Sequence, residues 1–484
     1  MSSDQSGIQL EMNFNIPSGN RFRRCLEHGV FNVLFEHAAP GKELVDDEAA
    51  RRLALLEKAA LECRDLPCAL AITDHYRSDN GRSAVEYAAL LPEKNRNSHI
   101  FYLSGRNRTA DQLRGLTAEA VQLGLSNLVA VSGDSRESEN VRDLRKINFT
   151  ESVQTLDILR QSPSRELFFP GCTVNPHLYS APGLYAGLFK LIKKFNTGAE
   201  FAVTQAGFDM AQLDALRTYL SWRNYHHGLI ARLMLLTPEK VEKITAGAYP
   251  GIRMSEDFLA ILNKELRFSD SQFEAAQYRR LELQAAGCKL LGFSGIQISG
   301  ADSAEKIRIV SGCISRALKE FTSLAQWIDE YNFYMARSDM ARADEHFYMF
   351  KQLLNAHTVS EDASPQLTEF TVPPWSMLQK IGDSARRFLF PEADQQAPEQ
   401  RRWLKKMLAN CQSCHNCRLP QTQFRCPEQC PKHLFNGPCG GVRDNGRCEV
   451  GNQECVHLNI WRSAELRKEC HTLENGVIGA INQN

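Results

Sequence analysis

The sequence lacks the features that would mark a membrane-spanning, exported or nucleic-acid-binding protein. No apolar run approaches the length of a membrane span, and the N-terminal MSSDQSGIQLEMNFN lacks the basic-then-apolar pattern of a signal peptide. Lys plus Arg and Asp plus Glu both number 57, so the formal net charge is zero and favours no nucleic acid or anionic membrane. We expect a cytoplasmic protein with neither partner, and we also expect a homo-oligomer.

Composition indicates a globular chain of more than one domain. At 484 residues, with 43% hydrophobic and 24% charged residues, two or three domains are expected. No internal repeat and no low-complexity tract is present. We predict an N-terminal extension, a main domain, a helical extension with a connector, and a cysteine-rich domain, over residues 1–27, 28–322, 323–400 and 401–484.

Eight short apolar runs alternate with helical segments in the main domain. The runs are FNVLFEH (31–37), CALAIT (68–73), HIFYLS (99–104), NLVAVSGD (127–134), ELFFPG (166–171), EFAVTQ (200–205), LIARLMLL (229–236) and LLGFSGIQI (290–298). They do not alternate cleanly, as expected of strands buried on both faces. Eight strand-helix units predict a (β/α)8 TIM barrel, and the missing GxGxxG after the first run disfavours the alternative, an open doubly wound sheet.

Helix signals fit this pattern. Residues 46–63 form an amphipathic segment, Thr109 opens a capping box, and Thr237-Pro238 is a cap followed by proline at the first helical position. A long helical pattern runs from 304 to about 354, and residues 356–400 resemble a partly ordered connector.

Polar residues follow the predicted strands at the barrel end where catalytic groups lie. They are Glu36, His37, Thr73, Asp74, Ser104, Asp134, Asn175 and Gln205. A residue of this kind more often caps a helix or bonds a loop. However, we expect Glu36 and Asp134 to face one cavity, where burial and mutual repulsion would separate their pKa values and provide a proton donor.

Five motifs in this region resemble the methylenetetrahydrofolate reductase family over residues 28–300. They are LFEHAAP, LSGRNR (103–108), VAVSGDS (129–135), GCTVNP (171–176) and KKFNTGAEFAVTQAGFD (193–209). The chain departs from the family at His37-Ala38-Ala39-Pro40, Tyr102, Ser132 and Asn175. These departures leave open the flavin contacts and the electron donor, which could be NADH, NADPH or ferredoxin.

The resemblance implies a flavoenzyme that interconverts 5,10-methylenetetrahydrofolate and 5-methyltetrahydrofolate. Glu36 would be the general acid that opens the folate imidazolidine ring, Asp134 would lie near flavin and folate, and Gln205 would bond the pterin. The FAD-contacting positions would be Thr73, Ser104, Ser132, Gly133, Asp134, Asn175 and Lys194.

Nine of the fifteen cysteines lie between Cys411 and Cys470. Because we expect the chain to be in a reducing compartment, where disulfides are rare, this cluster indicates a metal-binding site. The predicted ligands are Cys411, Cys414, Cys417, Cys426, Cys430, Cys439, Cys448 and Cys455. Their spacing suits an iron-sulfur cluster, with [4Fe-4S] preferred, or structural zinc. Cys411-Gln-Ser-Cys414-His415 also matches a c-type haem motif, which the absent export signal disfavours.

The strings CPKHLFNGPCGG and GRCEV resemble the cysteine-rich partner subunit of methylenetetrahydrofolate reductases in acetogenic bacteria, over residues 401–465. The resemblance implies a fused module that relays electrons from a ferredoxin or partner oxidoreductase, or that docks a partner. We expect His415, His433 and His457 to be surface groups or to support ligands rather than to bind metal.

Two rivals remain at this point. A folate-dependent methyltransferase barrel would contain no flavin, and a zinc-stabilised scaffold would turn over no folate. Glu36, Asp134 and Gln205 together disfavour the scaffold.

Overall fold

A closed barrel of eight parallel strands forms the core of the molecule. The structure is a computed structural model that describes residues 19–75, 81–136, 138–335, 347–350, 354, 365–390, 399–414 and 417–480. Each strand pairs with the next along the chain, and the last pairs with the first. The strands are β1 (Asn32–Ala38), β2 (Cys68–Thr73), β3 (Ile100–Ser104), β4 (Leu128–Val131), β5 (Gly171–Val174), β6 (Phe201–Thr204), β7 (Gly228–Met234) and β8 (Gly295–Ser299). The predicted (β/α)8 barrel is confirmed.

Helices surround the barrel and continue beyond it. The first twelve are α1 (Arg21–Glu27), α2 (Asp46–Leu61), α3 (Ala84–Ala88), α4 (Glu93–Arg96), α5 (Ala110–Gln122), α6 (Val141–Leu144), α7 (Ser152–Gln161), α8 (Ala181–Asn196), α9 (Met210–Trp222), α10 (Pro238–Thr245), α11 (Glu256–Phe268) and α12 (Asp270–Leu290). The others are α13 (Ala304–Glu320), α14 (Leu324–Met335), α15 (Met377–Leu389), α16 (Glu399–Ala409), α17 (Val456–Leu466) and α18 (Cys470–Asn475). Within the described part of the chain, no helix is long and apolar enough to cross a membrane.

The predicted helix starts are confirmed at both capping sites. Thr109 and Gln112 form a reciprocal capping box at α5, and the Thr237 side chain accepts from the Lys240 backbone N–H ahead of Pro238 on α10. These bonds satisfy amide groups that have no partner within a helix.

Side chains on the strands alternate between the barrel interior and the surrounding helices. Leu34 on β1 and Ile230 on β7 are fully buried in the interior cluster. The residues two positions further on, Glu36 and Arg232, therefore also point inwards, nearer the C-terminal mouth. Phe22 on α1 packs edge-on against Phe201 at 5.1 Å and helps to fill the other end.

Two predicted boundaries are wrong. The fifth strand begins at Gly171, where the predicted run 166–171 ends, because Pro170 offers no backbone N–H to a ladder and Arg165–Leu167 forms a 3-10 turn. The long helical pattern from 304 is interrupted after Glu320, and residues 347–350 are not helical. The predicted connector also contains a regular helix, α15.

The cysteine-rich region packs against the barrel through helix α8. The Tyr185 ring on α8 stacks on Trp461 of α17 with centroids 5.7 Å apart, and Val442 and Leu458 complete a small apolar cluster. This contact fixes the region beside the carboxyl ends of β4 and β5.

Glu151 is the central polar contact between the barrel and the cysteine-rich region. Its fully buried carboxylate pairs with Lys190 at 3.0 Å. Its second oxygen accepts from the Phe435 and Asn436 backbone N–H groups at 2.8 and 2.9 Å and from the Asn436 side chain at 2.7 Å. Burial acts to raise the pKa of Glu151, but Lys190 and these donors outweigh it and hold the pKa below its ordinary value.

Asp209 is a buried carboxyl at the start of α9, and it gives a pH-dependent prediction. Burial raises its pKa to about 6 although Tyr179 and Tyr348 donate to it at 3.0 and 2.7 Å. A raised folded-state pKa means that the stabilisation is present below the unfolded value of about 3.9 and is lost as the pH rises through about 6. We therefore expect Asp209→Asn to gain in melting temperature, relative to wild type, between those pH values. An equal difference at every pH would contradict this.

Candidate active site

Glu36 lies inside the barrel mouth in a bidentate ion pair with Arg232. The Arg232 Nε and Nη2 atoms lie 2.6 Å from the two carboxylate oxygens. Gln297 on β8 donates to the same carboxylate at 2.7 Å, and Tyr102 donates to the Gln297 oxygen at 2.6 Å. Burial raises the pKa of the Tyr102 phenol.

Gln205, which follows β6, belongs to the same hydrogen-bond network. Its side-chain oxygen accepts from Arg232 Nη1 at 2.9 Å, and its amide donates to the Pro250 carbonyl at 3.2 Å. The structure therefore brings together two residues predicted to contact substrate, Glu36 and Gln205, with Arg232 between them.

Two residues that complete this network were not predicted from the sequence. Arg232 interrupts the apolar run LIARLMLL, and Gln297 interrupts GIQI. A charged or amide side chain at an inward strand position was the signal available, because such a group needs a partner inside the barrel.

The ends of β2 and β3 provide the next part of the mouth. Asp74 accepts from the Ala84 backbone N–H at 2.7 Å and also binds Arg108. The Thr73 hydroxyl donates to the Asp74 backbone carbonyl at 3.3 Å, and the Ser104 hydroxyl accepts from the Arg106 backbone N–H at 3.3 Å. Thr73 and Ser104, both predicted to contact FAD, thus lie at adjacent strand ends.

The loop after β4 contains Ser132, Gly133 and Asp134. The Ser132 hydroxyl accepts from the Ser152 backbone N–H at 3.1 Å, which ties the loop to α7. Gly133 has φ +87°, and an added Cβ would lie 2.5 Å from the Arg106 Cβ, so a side chain is excluded here. The Asp134 side chain is exposed, and its backbone carbonyl accepts from Arg106 at 2.9 Å.

Electrostatic contacts link Asp134 to both Arg232 and the cysteine-rich region. Desolvation by the surrounding protein raises the pKa of Asp134, whereas Lys432, Arg232 and Arg106 lower it. Asp134 in turn contributes to the raised pKa of Arg232, for which Glu36 is the main favourable partner opposing burial.

The cysteine-rich region forms one wall of the mouth. Lys432 lies 3.4 Å from the Gly133 carbonyl and forms a buried ion pair with Glu449. Glu449 also accepts from the Ser135 hydroxyl at 2.9 Å. A cleft of about 720 Å³ opens beside this wall, and Arg136, Arg142 and Arg443 are among its lining residues.

Asn175 and Lys194 both donate to backbone carbonyls. The Asn175 amide contacts Gly440 at 2.6 Å and Gly251 at 3.2 Å. Lys194, on α8, donates to the Thr173 carbonyl at 2.5 Å, and burial lowers the pKa of its ammonium to about 8. The structure thus places Asn175 at the β5 end of the mouth and Lys194 behind β5.

The predicted metal-ligating cysteines fall into two neighbourhoods. One is an apolar cluster that contains Cys426, with Cys417 against it; burial and then the charges on Cys411 and Cys414 raise the pKa of Cys426 to about 11. The second comprises Cys430, Cys439, Cys448 and Cys455. Burial is the main cause that raises their pKa values, and the charges of neighbouring thiols raise those of Cys430, Cys439 and Cys455 further.

The thiols are not arranged in a coordination geometry. Among the residues that the structure describes, no group of three or more His, Cys, Asp or Glu side chains could hold a metal ion. His415 lies outside the described residues. His433 contacts Glu428 at 2.6 Å, and His457 is buried, which lowers its pKa to about 3.

The mouth therefore combines a carboxylate held by an arginine with a second carboxylate that reaches solvent, and with amide and hydroxyl groups around them. Such a set can bind a polar heterocycle, donate a proton and stabilise a developing positive charge.

Two family models match the chain. The one described as methylenetetrahydrofolate reductase matches residues 21–264, and the one described as the C terminal of methylene-tetrahydrofolate reductase matches residues 390–483. Among solved structures, the chain is similar to an uncharacterized protein from Clostridium thermocellum, described as binding two copies of 5-methyl-5,6,7,8-tetrahydrofolic acid. The identity is 14% and the TM-score 0.44, over 61% of this chain and 99% of that chain. No curated protein matches the chain.

Proposed function

The chain belongs to the methylenetetrahydrofolate reductase family and is an oxidoreductase that acts on CH–NH groups, and we propose that it interconverts 5,10-methylenetetrahydrofolate and 5-methyltetrahydrofolate with the help of FAD. The observation that supports this best is the network at the mouth, in which Glu36, Arg232 and Gln205 are hydrogen-bonded and Asp134 is electrostatically coupled to Arg232. The same membership favours a reductase over a methyltransferase or a scaffold.

Reduced FAD would supply a hydride when bound, and the β2 to β4 side of the mouth is suited to hold the cofactor. Thr73, Ser104 and Ser132 offer hydroxyl groups, Gly133 leaves space for a close approach, and Asp134 has an accessible carboxylate. Asn175 and Lys194 fit less directly, because each would have to exchange a backbone carbonyl for the cofactor.

Proton transfer and charge stabilisation are the tasks left to this chain. Glu36 gives a proton to the departing nitrogen of the folate five-membered ring, so that one C–N bond breaks and an iminium cation forms. Asp134 stabilises that cation through its negative charge, and Gln205 orients the pterin by hydrogen bonding. A hydride from the reduced cofactor would then complete the methyl group at the iminium carbon.

Cofactor analysis tests this proposal. We expect the purified protein to be yellow and to release FAD on denaturation. Anaerobic addition of NADH, NADPH or a reduced ferredoxin identifies the donor by the one that bleaches the flavin. A colourless protein that binds no added FAD would refute the flavin-dependent function.

We also propose that the cysteine-rich region binds metal for electron relay or partner docking. The support is chemical: eight thiols lie in two neighbourhoods, the second of which adjoins the mouth through the Cys439–Glu449 contact, and thiolates are ligands of iron-sulfur clusters and zinc. Metal binding would draw these thiols together and lower their pKa values, since the ligand is the thiolate.

Elemental analysis with a paired cysteine substitution tests the metal prediction. We expect anaerobically purified protein to contain iron and sulfide and to show an EPR signal after reduction. Cys439→Ser should lower the metal content, whereas Cys470→Ser, at a thiol that contacts Glu465 at 3.0 Å, should not. Stoichiometric zinc without iron would exclude the relay and leave docking, and metal-free protein would exclude both.

A further inference from the structure

Arg232 is a cation inside the barrel that joins two residues of the proposed folate site. Its Nε and Nη2 atoms donate to both oxygens of Glu36 at 2.6 Å, and its Nη1 donates to the Gln205 oxygen at 2.9 Å. The guanidinium is one-quarter exposed, and its backbone N–H is held by the Thr204 hydroxyl at 3.0 Å. A planar fork in this setting orients the carboxylate as well as attracting it.

In the described residues, every side chain that hydrogen-bonds to Glu36 donates an N–H group, so both carboxylate oxygens act as acceptors. Besides Arg232, the Gln297 amide donates to Glu36 at 2.7 Å, and the Gln297 oxygen accepts from the Tyr102 hydroxyl at 2.6 Å. An arginine has no acceptor. A proton on Glu36 therefore competes with the Arg232 N–H groups for the carboxylate oxygens, so the observed ion pair has to open before Glu36 can act as an acid.

We propose that Arg232 is a positioning residue that orients Glu36 in the folate-free site and releases one of its oxygens, which then takes a proton from solvent at the mouth before Glu36 gives that proton to the folate nitrogen. This inference rests on the proposed function. The released guanidinium would keep Gln205 as a partner. It would also face Asp134, whose carboxylate accepts no hydrogen bond from the described residues.

Other titratable groups near the pair have different partners. Asp134 reaches solvent, Tyr102 donates to Gln297, and the Lys240 ammonium on α10 donates to the Leu235 carbonyl at 2.9 Å. His37, the next residue after Glu36, contacts the Tyr87 hydroxyl at 3.3 Å on the outer side of the strand. Arg232 is thus the only cation among the described residues that hydrogen-bonds to Glu36.

The pH profile of the folate half-reaction tests this role. Removing a positive charge favours the protonated form of a carboxyl, so the decline of the rate with rising pH should move to higher pH in Arg232→Gln. Arg232→Lys keeps the positive charge but loses the planar fork, so the pH at which its rate declines should lie between those of Arg232→Gln and wild type.

Arg279→Gln is the matched control, because Arg279 bridges Glu282, Glu320 and Glu330 on the outside of the barrel. Its profile should keep the wild-type position. A uniform loss of rate in Arg232→Gln without displacement would overturn the inference. If that variant does not fold, an unmoved profile in Arg232→Lys would do so. Absence of a folate half-reaction in wild type would instead refute the proposed function.

Discussion

Glu36→Gln is expected to slow folate turnover by about 10²–10⁴-fold, the usual effect of losing a positioned acid. Glutamine has the same shape but cannot deliver a proton, and it places an NH2 group, which cannot accept, opposite one of the two Arg232 N–H groups that now bind Glu36. The loss should be confined to oxidation of the reduced flavin by methylenetetrahydrofolate. Flavin content and flavin reduction by the donor should remain at the wild-type level, because the Glu36 side chain is not among the predicted flavin contacts.

Stopped-flow measurement of the two half-reactions separates these effects. Glu27→Gln is the control, since Glu27 is an exposed partner of Arg23 on α1, at the opposite end of the barrel. It should match wild type in both half-reactions. Normal folate turnover by Glu36→Gln would refute the acid role, and an equal loss in both half-reactions would indicate a general defect of the site.

Glu151→Ala is expected to detach the cysteine-rich region locally from the barrel. The substitution removes the acceptor of four hydrogen bonds and leaves the Lys190 ammonium buried without its carboxylate. Breaking a buried pair in this way costs about 3–5 kcal/mol. Hydrogen exchange of the Phe435 and Asn436 amides should then accelerate by at least about 100-fold, because 1.4 kcal/mol corresponds to a factor of ten.

Matched measurements distinguish this effect from a general loss of stability. Glu166→Ala removes an exposed carboxylate whose one ion-pair partner in the described part of the chain is its neighbour Arg165, so exchange of the same amides should be unchanged. In wild type, the lowered pKa of Glu151 contributes stability above the ordinary glutamate pKa of about 4.3, and that stability is lost as the pH falls through the lower folded value. Unaltered exchange in Glu151→Ala would show that other contacts hold the region.

Much of the barrel could be predicted because strand burial leaves a strong signal. Seven of the eight apolar runs overlap most of a strand, since parallel strands covered by helices are apolar throughout. The fifth strand, Gly171–Val174, was placed too early. Its tetrapeptide GCTV is short and less apolar than the preceding Phe168 and Phe169, which are buried by packing rather than by strand pairing.

The site was predictable only in part. Glu36 and Gln205 could be found because polar residues at strand ends are conspicuous, and the resemblance supplied their roles. Arg232 lies within a strand run, and its partner Glu36 is 196 residues away in the chain, so the pairing depends on barrel closure. Lys432 and Glu449 belong to a separate segment, and no local pattern relates them to the β4 loop.

The most direct test of the proposed reductase activity is a single-turnover experiment under anaerobic conditions. The enzyme-bound flavin is first reduced photochemically and then mixed with 5,10-methylenetetrahydrofolate, while flavin absorbance and folate products are followed together. The proposed reductase activity predicts that the flavin is reoxidised and that one 5-methyltetrahydrofolate forms for each flavin. A flavin that stays reduced in the presence of bound methylenetetrahydrofolate would contradict it.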